Sequence, residues 1–388
     1  MVECTAVDLG LTEEQQMVRE LAARLAREKI APSAAEHDRN ATYPSENIRL
    51  LAESGLVGIE VPAELGGAGM DAVASVLAIS EIAAADAAHA TILSVLNSLF
   101  CSAMVRYGSP DQQAHALRDV IQGRAIGAFA LTEAHCGSDA TAMRCRATRT
   151  ADGQWSITGA KSWITSGPVA DWVILFAVTD PDAGSRGISA FLIDTTRAGF
   201  ARGKGEPKMG VRASATCEIV FDNYLASDAD LLGVPGQGFK IAMSLLDGGR
   251  IGIAAQAVGI ARAAYEAAVA YAQQRQAFGQ AIGSFQMIQA KIADMKCRLD
   301  AATWLTLRAA WLKSQNQPFS TEAAVAKLTA SEAAMYIAHQ AVQIHGGMGY
   351  SQELPVERYF RDAKITEIYE GTSEIQRMVI ARNETGLR

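Results

Sequence analysis

The hydrophobic period of this 388-residue chain changes twice, and those changes limit the folds open to it. Up to about residue 125 the apolar residues recur at helical spacing. Thr12 and Gln15 form a capping box, and Met17, Leu21 and Leu25 follow at i, i+4 and i+8 as an apolar stripe. Pro32 is expected to end that helix. After a loop over 62–69, helical runs are expected over 71–90, 91–107 and 111–123. From Ile126 the period becomes two. Segments at 155–158, 173–177, 188–192 and 219–221 read as strands, with Asp152-Gly153 as a hairpin turn. From about Gly236 the helical period returns over 239–275, 284–314 and 320–344. The expected fold class is α+β, mostly α. It has a helical domain over 1–125, a middle β domain (barrel or sandwich) over 126–232, and a C-terminal four-helix bundle over 233–388.

Composition removes several functions. A net charge of -7 argues against nucleic acid as a partner. No apolar run of the roughly 18 residues a membrane span needs is read in the sequence, so no membrane is expected. Glu3 and Asp8 stand where a targeting segment would be basic, so a cytoplasmic location is expected. Six cysteines (Cys4, Cys101, Cys136, Cys145, Cys217 and Cys297) lack C-x-x-C spacing and read as reduced thiols. The six histidines show no metal-binding pattern, and no metal is expected. G-x-G-x-x-G, the P-loop and G-x-S-x-G are all missing from the sequence, which argues against a Rossmann site or a serine nucleophile.

Three stretches carry chemistry. The run from Phe129 to Asp139 places hydroxyls, a glycine and free amides in one loop, suited to an anion such as a phosphate. Trp163 and Thr165 are two apart, so in a regular strand they share a face, where a flat polar-edged ring would stack and bond. A buried strand tryptophan before a turn is the alternative. Glu370 stands just before Gly371, and Thr372 and Ser373 offer hydroxyls at the start of a helix. In an apolar cavity that carboxylate would have a raised pKa and would take a proton from carbon. An ordinary helix start with a surface glutamate is the other reading of those residues.

Taken together and in order, further motifs carry a resemblance. They are Leu-Thr-Glu…Gly-Ser-Asp (131–139), Trp-Ile-Thr (163–165), Leu-Asp-Gly-Gly-Arg-Ile-Gly (246–252), Arg-x-x-Phe-Gly (275–279), Gln-Ile-His-Gly-Gly-Met-Gly-Tyr (343–350) and Tyr-Glu-Gly-Thr (369–372). Over nearly its whole length the chain resembles the acyl-CoA dehydrogenases. The resemblance implies FAD bound between the β domain and the bundle. Phe129, Ala130, Leu131, Thr132, Gly137 and Ser138 would follow the isoalloxazine ring and pyrophosphate. Trp163 and Ile164 would lie against the flavin, with Thr165 near N5. Arg275, Phe278, Gln286, Gln343, Ile344, His345, Gly346 and Gly347 would hold the adenosine half of a neighbouring subunit's FAD, in a homo-oligomer that the family makes a tetramer. Thr372, Ser373 and Glu374 would complete the FAD site.

By the same resemblance, Ser138, Asp247, Gly248, Gly249, Arg250 and Gly371 would meet the acyl-CoA thioester. Glu370 would remove the α-proton while flavin N5 accepts the β-hydride. The product would be a trans-2-enoyl-CoA, with electrons passing to an electron-transferring flavoprotein. Some relatives carry the base near residue 249; Gly249 cannot serve, which leaves Glu370. The chain departs from the family's Thr-Glu-Pro-Gly-x-Gly-Ser loop at Ala134 and His135, and His135 is expected to face solvent. Leu96 and Phe100, on an apolar helix without Arg or Lys between residues 76 and 105, are expected to line the acyl end. That favours a short-chain, butyryl-type substrate over a dicarboxyl one. A branched short acyl-CoA is the alternative substrate, and a catalytically silent flavoprotein with a binding role is the alternative of another class.

Overall fold

The computed structural model describes residues 10–387, so Glu3, Cys4 and Asp8 lie outside the described residues. Helix α1 (Glu13–Leu25) starts on the expected capping box, with Thr12 and Gln15 exchanging backbone-to-side-chain hydrogen bonds. Of the expected stripe, Leu25 is buried and Leu21 packs against the core, but Met17 does not. Met17 is 67% exposed, while Ala22 and Leu25 are buried. Pro32 does not end the helix. A π-helical turn at Ala26–Ile30 leads into α2 (Ala31–Asn40), with Pro32 in its first turn. Ile30 and Ala31 keep right-handed helical dihedrals, so the helix runs on through the π turn without a break. α3 (Ser45–Glu53) follows.

α4 (Ala72–Ala85) and α5 (Ala87–Ser94) break at Asp86, four residues earlier than expected, because the extended Asp86 accepts from the His89 N–H and caps α5. A second π-helical stretch, Val95–Cys101, leads into α6 (Ser102–Tyr107). The whole run Ala87–Tyr107 is long and apolar enough to cross a membrane, contrary to the sequence expectation. It is a core helix, with 89% of its most apolar window buried. Asn97 within it accepts from the Gly58 N–H at 2.7 Å and donates to the Leu56 carbonyl at 2.8 Å. α7 (Pro110–Gln112) and α8 (Arg118–Ile121) close this part of the chain.

The middle of the chain is one eight-stranded sheet of β1 (Gly127–Ala130), β2 (Arg146–Arg149), β3 (Trp155–Thr165), β4 (Trp172–Val178), β5 (Ile188–Asp194), β6 (Phe200–Gly205), β7 (Thr216–Ala226) and β8 (Leu231–Leu232). The order is β6-β7-β3-β2-β4-β5-β8, with β1 parallel to β4. Asp152-Gly153 lies in the β2–β3 hairpin. Alternation along β4 sorts residues into two cores. Val173, Leu175 and Ala177 join Trp155, Phe191 and Phe221 inside the sheet, whereas Ile174 and Phe176 face the helices. The Tyr224 hydroxyl on β7 bonds the Asp194 backbone on β5, four strands away in the order. In a flat sheet those strands would stand about 19 Å apart; the sheet therefore curls over its own core.

The last third is α9 (Gly238–Gln274), a small hairpin of β9 (Gln276–Ala277) and β10 (Gln280–Ala281), α10 (Gln286–Ser314) and α11 (Ser320–His345). Two shorter helices follow, α12 (Val356–Ile365) and α13 (Ser373–Thr385), where the sequence reading expected one. Both pack on α11, and α4 packs along α9, so the first helices and the bundle share a core. Alanines such as Ala254, Ala257, Ala261, Ala326, Ala330 and Ala334 are fully buried or nearly so, and small side chains let helix backbones approach closely.

Candidate active site

Glu370 sits in the turn between α12 and α13. It has φ 52°, and Gly371 has φ 93°. A non-glycine residue in the left-handed region costs about 1–3 kcal/mol unless its surroundings hold it. Here they do. The Gly371 carbonyl accepts from Lys327 Nζ on α11 at 2.7 Å and from Gln376 Nε2 on α13 at 2.8 Å. The Tyr369 hydroxyl donates to Gln256 on α9, whose amide donates to the Ala87 carbonyl at 2.9 Å and to Thr91 Oγ1 at 2.8 Å. Thr372 caps α13 by accepting from the Ile375 N–H. Three elements thus fix one turn.

The carboxylate itself is left free. Glu370 Oε2 is buried and has no hydrogen-bond partner. A Cβ on Gly249 would overlap with it, so the absence of a side chain at 249 makes the room. Burial pushes the Glu370 carboxyl up to about 7, against the pull of the Lys327 and Arg250 cations. Lys327 is fully buried, and burial brings its ammonium down to about 8 although Glu370 opposes this. Nearby, Arg250 donates to Asp247 at 2.6 Å, and Asp247 also accepts from Ser320. Gly248 lies beside Lys313, which pairs with Glu60 at 2.6 Å. The sequence reading missed Lys327. Its signal was a lone cation on a helix face otherwise made of Ala323, Ala324, Ala326, Ala330 and Ser331.

A second group gathers where β1 meets the end of β3. The Ser162 N–H donates to the Thr132 carbonyl at 2.9 Å. Lys161 Nζ donates to the Leu131 carbonyl at 2.9 Å and to Glu133 Oε1 at 2.8 Å, and all of it is buried. Glu133 also accepts from the N–H groups of Arg144 and Cys145. Burial raises its carboxyl, but Lys161 and those amides outweigh it and hold the group below the ordinary range. Glu133 is therefore a structural anion, with its lone pairs engaged. The regular strand expected at Trp163 is interrupted. β3 and β7 shift register between Lys161 and Ile164, and Trp163 has φ 62°. Past the bulge the burial still alternates, with Ile164 buried between Trp163 and Thr165. The indole is 58% exposed and Thr165 is half-buried. Ala130, Leu131 and Ile164 bury their side chains, so only their backbone can meet a ligand. Gly137 and Ser138 are exposed. His135 is exposed, with Nε2 3.1 Å from the Ala142 carbonyl of its own loop.

A third group lies at the far end of α9. Arg275 precedes the β9–β10 hairpin, Phe278 stands in its turn at 96% exposure, and Gln286 opens α10. The His345 ring stacks on Tyr271 at 4.2 Å, which brings residues 343–347 to the same end. His345 and Ile344 are buried, while Gln343, Gly346 and Gly347 are exposed. Gly249 and Arg275 are separated by 26 positions of one helix, about 39 Å. This group is therefore remote from Glu370 of its own chain. Thr372 and Ser373 lie beside Glu370, with Ser373 Oγ buried and unpartnered and Glu374 exposed in the first turn of α13.

The expected acyl-end residues are placed differently. The π-helical stretch carries the Phe100 ring against Gly127 of β1, where a Cβ would overlap with it. Ser94 and Ser98 face Gly252 of α9 instead. Leu96 lines a cavity of about 280 Å³ with Tyr43, Val57, Val120, Ile126 and Val169. An α-helical reading of 91–107 could not foresee this, because one π-helical turn rotates the side chains after it.

The second group fits a flavin. An exposed indole stands next to an open glycine loop, with a buried, unpartnered Ser166 hydroxyl at the strand end. The comparisons agree. The acyl-CoA dehydrogenase N-terminal, middle and C-terminal domain families match residues 12–124, 128–224 and 236–385. The chain is 47% identical over 371 residues to the mouse (Mus musculus) mitochondrial short-chain specific acyl-CoA dehydrogenase, covering 96% of this chain and 90% of that protein. It superposes on the butyryl-CoA dehydrogenase of Megasphaera elsdenii with a TM-score of 0.96 at 43% identity, covering 98% and 100% of the two chains. It superposes equally on a chain from the structure of the electron transferring flavoprotein of Acidaminococcus fermentans, with a TM-score of 0.96 at 42% identity over 97% and 99%. The chain belongs to the acyl-CoA dehydrogenase family. It is an FAD-dependent oxidoreductase that acts on the CH–CH bond of an acyl-CoA.

Proposed function

We propose that the chain dehydrogenates a short-chain acyl-CoA to the trans-2-enoyl-CoA, with Glu370 as the base that removes the α-proton. One observation carries this reading: the buried, unpartnered Glu370 Oε2 in the space left by Gly249. A carboxylate whose pKa stands near neutrality is matched to taking a weakly acidic proton from carbon. The positive φ of Glu370, held through Gly371, presets the direction of that side chain. Asp247, Gly248, Gly249, Arg250, Gly371 and Ser138 would meet the thioester.

FAD supplies the two-electron acceptor for the β-hydride. Trp163 and the backbone of Phe129–Thr132 would hold its ring, with Thr165 at the ring edge. Gly137, Ser138 and the α13 N-terminus at Thr372–Glu374 would meet its phosphates, where free N–H groups favour an anion. The roughly 39 Å between Gly249 and Arg275 supports a homo-oligomer, which the family resemblance makes a tetramer, in which Arg275, Phe278, Gln286 and residues 343–347 serve a neighbour's cofactor. The likeness to named short-chain enzymes supports the short acyl group and an electron-transferring flavoprotein as the acceptor.

The test is Glu370→Gln in the purified holoprotein, mixed anaerobically with butyryl-CoA. Flavin bleaching should slow by ~10²–10⁴-fold or more with FAD content unchanged. Bleaching at the parental rate would refute the assignment. A panel of straight and branched acyl-CoAs on the parent protein identifies the acyl group.

A further inference from the structure

We infer that Asp362 is a positioning residue for the reaction: by gripping the backbone of Val211 it locks the Glu370 turn to the strand end that carries Thr165. The inference rests on the roles given above to Glu370 and Thr165.

Asp362 lies on α12 and is 1% exposed. Its Oδ1 accepts from the Val211 N–H at 2.6 Å. Val211 belongs to the connection between β6 and β7 and has φ 43°. A β-branched residue in the left-handed region is a true outlier, and such strain persists only where neighbours hold it. The holding surface is α12. A Cβ on Gly210 would overlap with the Arg361 carbonyl and stand 2.8 Å from the Asp362 nitrogen, so the loop backbone lies flush on the helix. Arg361 adds a bond to the Met209 carbonyl at 3.1 Å and a two-pronged pair with Asp38 at 2.7 and 3.2 Å. Among the described residues, the Asp362–Val211 and Arg361–Met209 bonds are the hydrogen bonds that cross from α12 to this loop.

Both ends of this contact lead to the site. On one side α12 runs directly into Tyr369 and Glu370, eight residues beyond Asp362. On the other side the Ser214 N–H closes the loop onto the Val211 carbonyl, Ala215 accepts from the Ser166 N–H at 2.7 Å, and Thr216 pairs with Thr165. The path from base to flavin edge therefore runs through this contact, where the buried Asp362–Val211 bond joins two parts of the chain 151 residues apart. The surroundings of Asp362 favour a neutral acceptor. Burial and the Asp86 and Asp38 carboxylates push its carboxyl up to about 7, against the Val211 N–H and Arg358. A carbonyl oxygen of a protonated acid or an amide accepts from Val211 equally well. What the site requires is an acceptor at this position, whatever its charge.

The test compares Asp362→Leu, Asp362→Asn and Gly210→Ala in the holoprotein. The first removes the acceptor, the second keeps it, and the third pushes the loop off the α12 backbone with the Asp362 carboxyl left in place. Backbone hydrogen exchange read by mass spectrometry, with no substrate present, should rise over residues 209–215 and 366–371 together in Asp362→Leu and Gly210→Ala. Asp362→Asn should restore protection at both. The flavin-reduction rate at saturating substrate should fall between about 10- and 100-fold in the first and third variants, with KM shifted less than about threefold, and recover in Asp362→Asn. Exchange that rises at 209–215 alone would overturn the proposal, as would a parental reduction rate in a folded Gly210→Ala protein. The exchange result is independent of which group is the base, so failure of Glu370 in its own test is distinguishable from failure here.

Discussion

Gly249 and Glu370 occupy one site between them: the carboxylate oxygen Oε2 stands where a Cβ of residue 249 would be. A base on α9 at this position and a base at 370 are therefore sterically exclusive alternatives. Gly249→Ala is expected to displace the carboxylate and slow flavin reduction by about 10²-fold, the usual result of misplacing a reacting group by about 1 Å. Helix stability should not fall in step, because alanine is favoured over glycine in a helix by roughly 1 kcal/mol. Melting temperature and flavin-reduction rate, measured on the same sample, check the separation.

The raised pKa of Glu370 links activity and stability to pH in opposite directions. The group titrates at about 7 in the folded chain, against 4.5 ordinarily. The folded state binds the proton more tightly, so this stability is full below about pH 4.5 and is lost as pH rises through 7. The rate, which needs the carboxylate, should rise over the same window and level off above it. Glu370→Gln removes the linkage. It should match the parent's stability near pH 4 and exceed it above pH 7 by about 1–3 kcal/mol, allowing for partial exposure of the residue. Denaturant titrations across that range give the comparison.

Lys327 acts on Glu370 twice, through its bond to the Gly371 carbonyl and through its charge. Lys327→Met removes both. The rate at high pH should drop as the turn loosens. The midpoint of the pH–rate profile should move upward, because burial then acts with less cationic opposition. A midpoint unchanged from the parent would show that the Lys327 charge does not reach the base.

The alternation of periods made the three-part architecture readable, and the run 369–372 made the Glu370 turn readable, since a glutamate before a glycine is a local feature. The errors share a different cause. Pro32, the break at Asp86 and the facing of Phe100 all depend on π-helical turns or caps that shift a helix by a residue or rotate it. A hydrophobic period of 3.6 averages over such shifts. The bulge before Ile164 was likewise hidden from a period-two reading of that strand. The partners of Lys327, Gln256 and Asp362 were beyond reach for another reason. Each side chain meets its partner from a distant part of the chain, and only folding reveals that a buried cation is paired with a carbonyl 44 residues away.

The Lys161–Glu133 pair should matter to the loop it supports. Both side chains are buried, at 0% and 4% exposure. Lys161→Met strands the carboxylate with two amide donors and no cation, which typically destabilises by about 3–5 kcal/mol. The Lys161→Met/Glu133→Gln double variant should recover part of that loss, since no charge is then left buried. Thermal denaturation of the two variants decides it. Equal melting temperatures would mean that the loop tolerates an unpaired carboxylate.

Arg275 tests the assembly. It is exposed on its own chain, about 39 Å along α9 from Gly249, and among the described residues its side chain has no hydrogen-bond or ion-pair partner. Arg275→Ala should therefore leave the fold of each subunit intact. If Arg275 reaches a neighbour's cofactor, the variant should retain less FAD after gel filtration and shift towards smaller species. The two losses should appear together and be relieved together by added FAD, because a ligand bound across an interface stabilises the assembled form by mass action. Light scattering and the flavin-to-protein absorbance ratio, read on the same column run, measure both. A variant that elutes as a monomer yet keeps a full complement of FAD would remove Arg275 from the cofactor site and place that site within one chain.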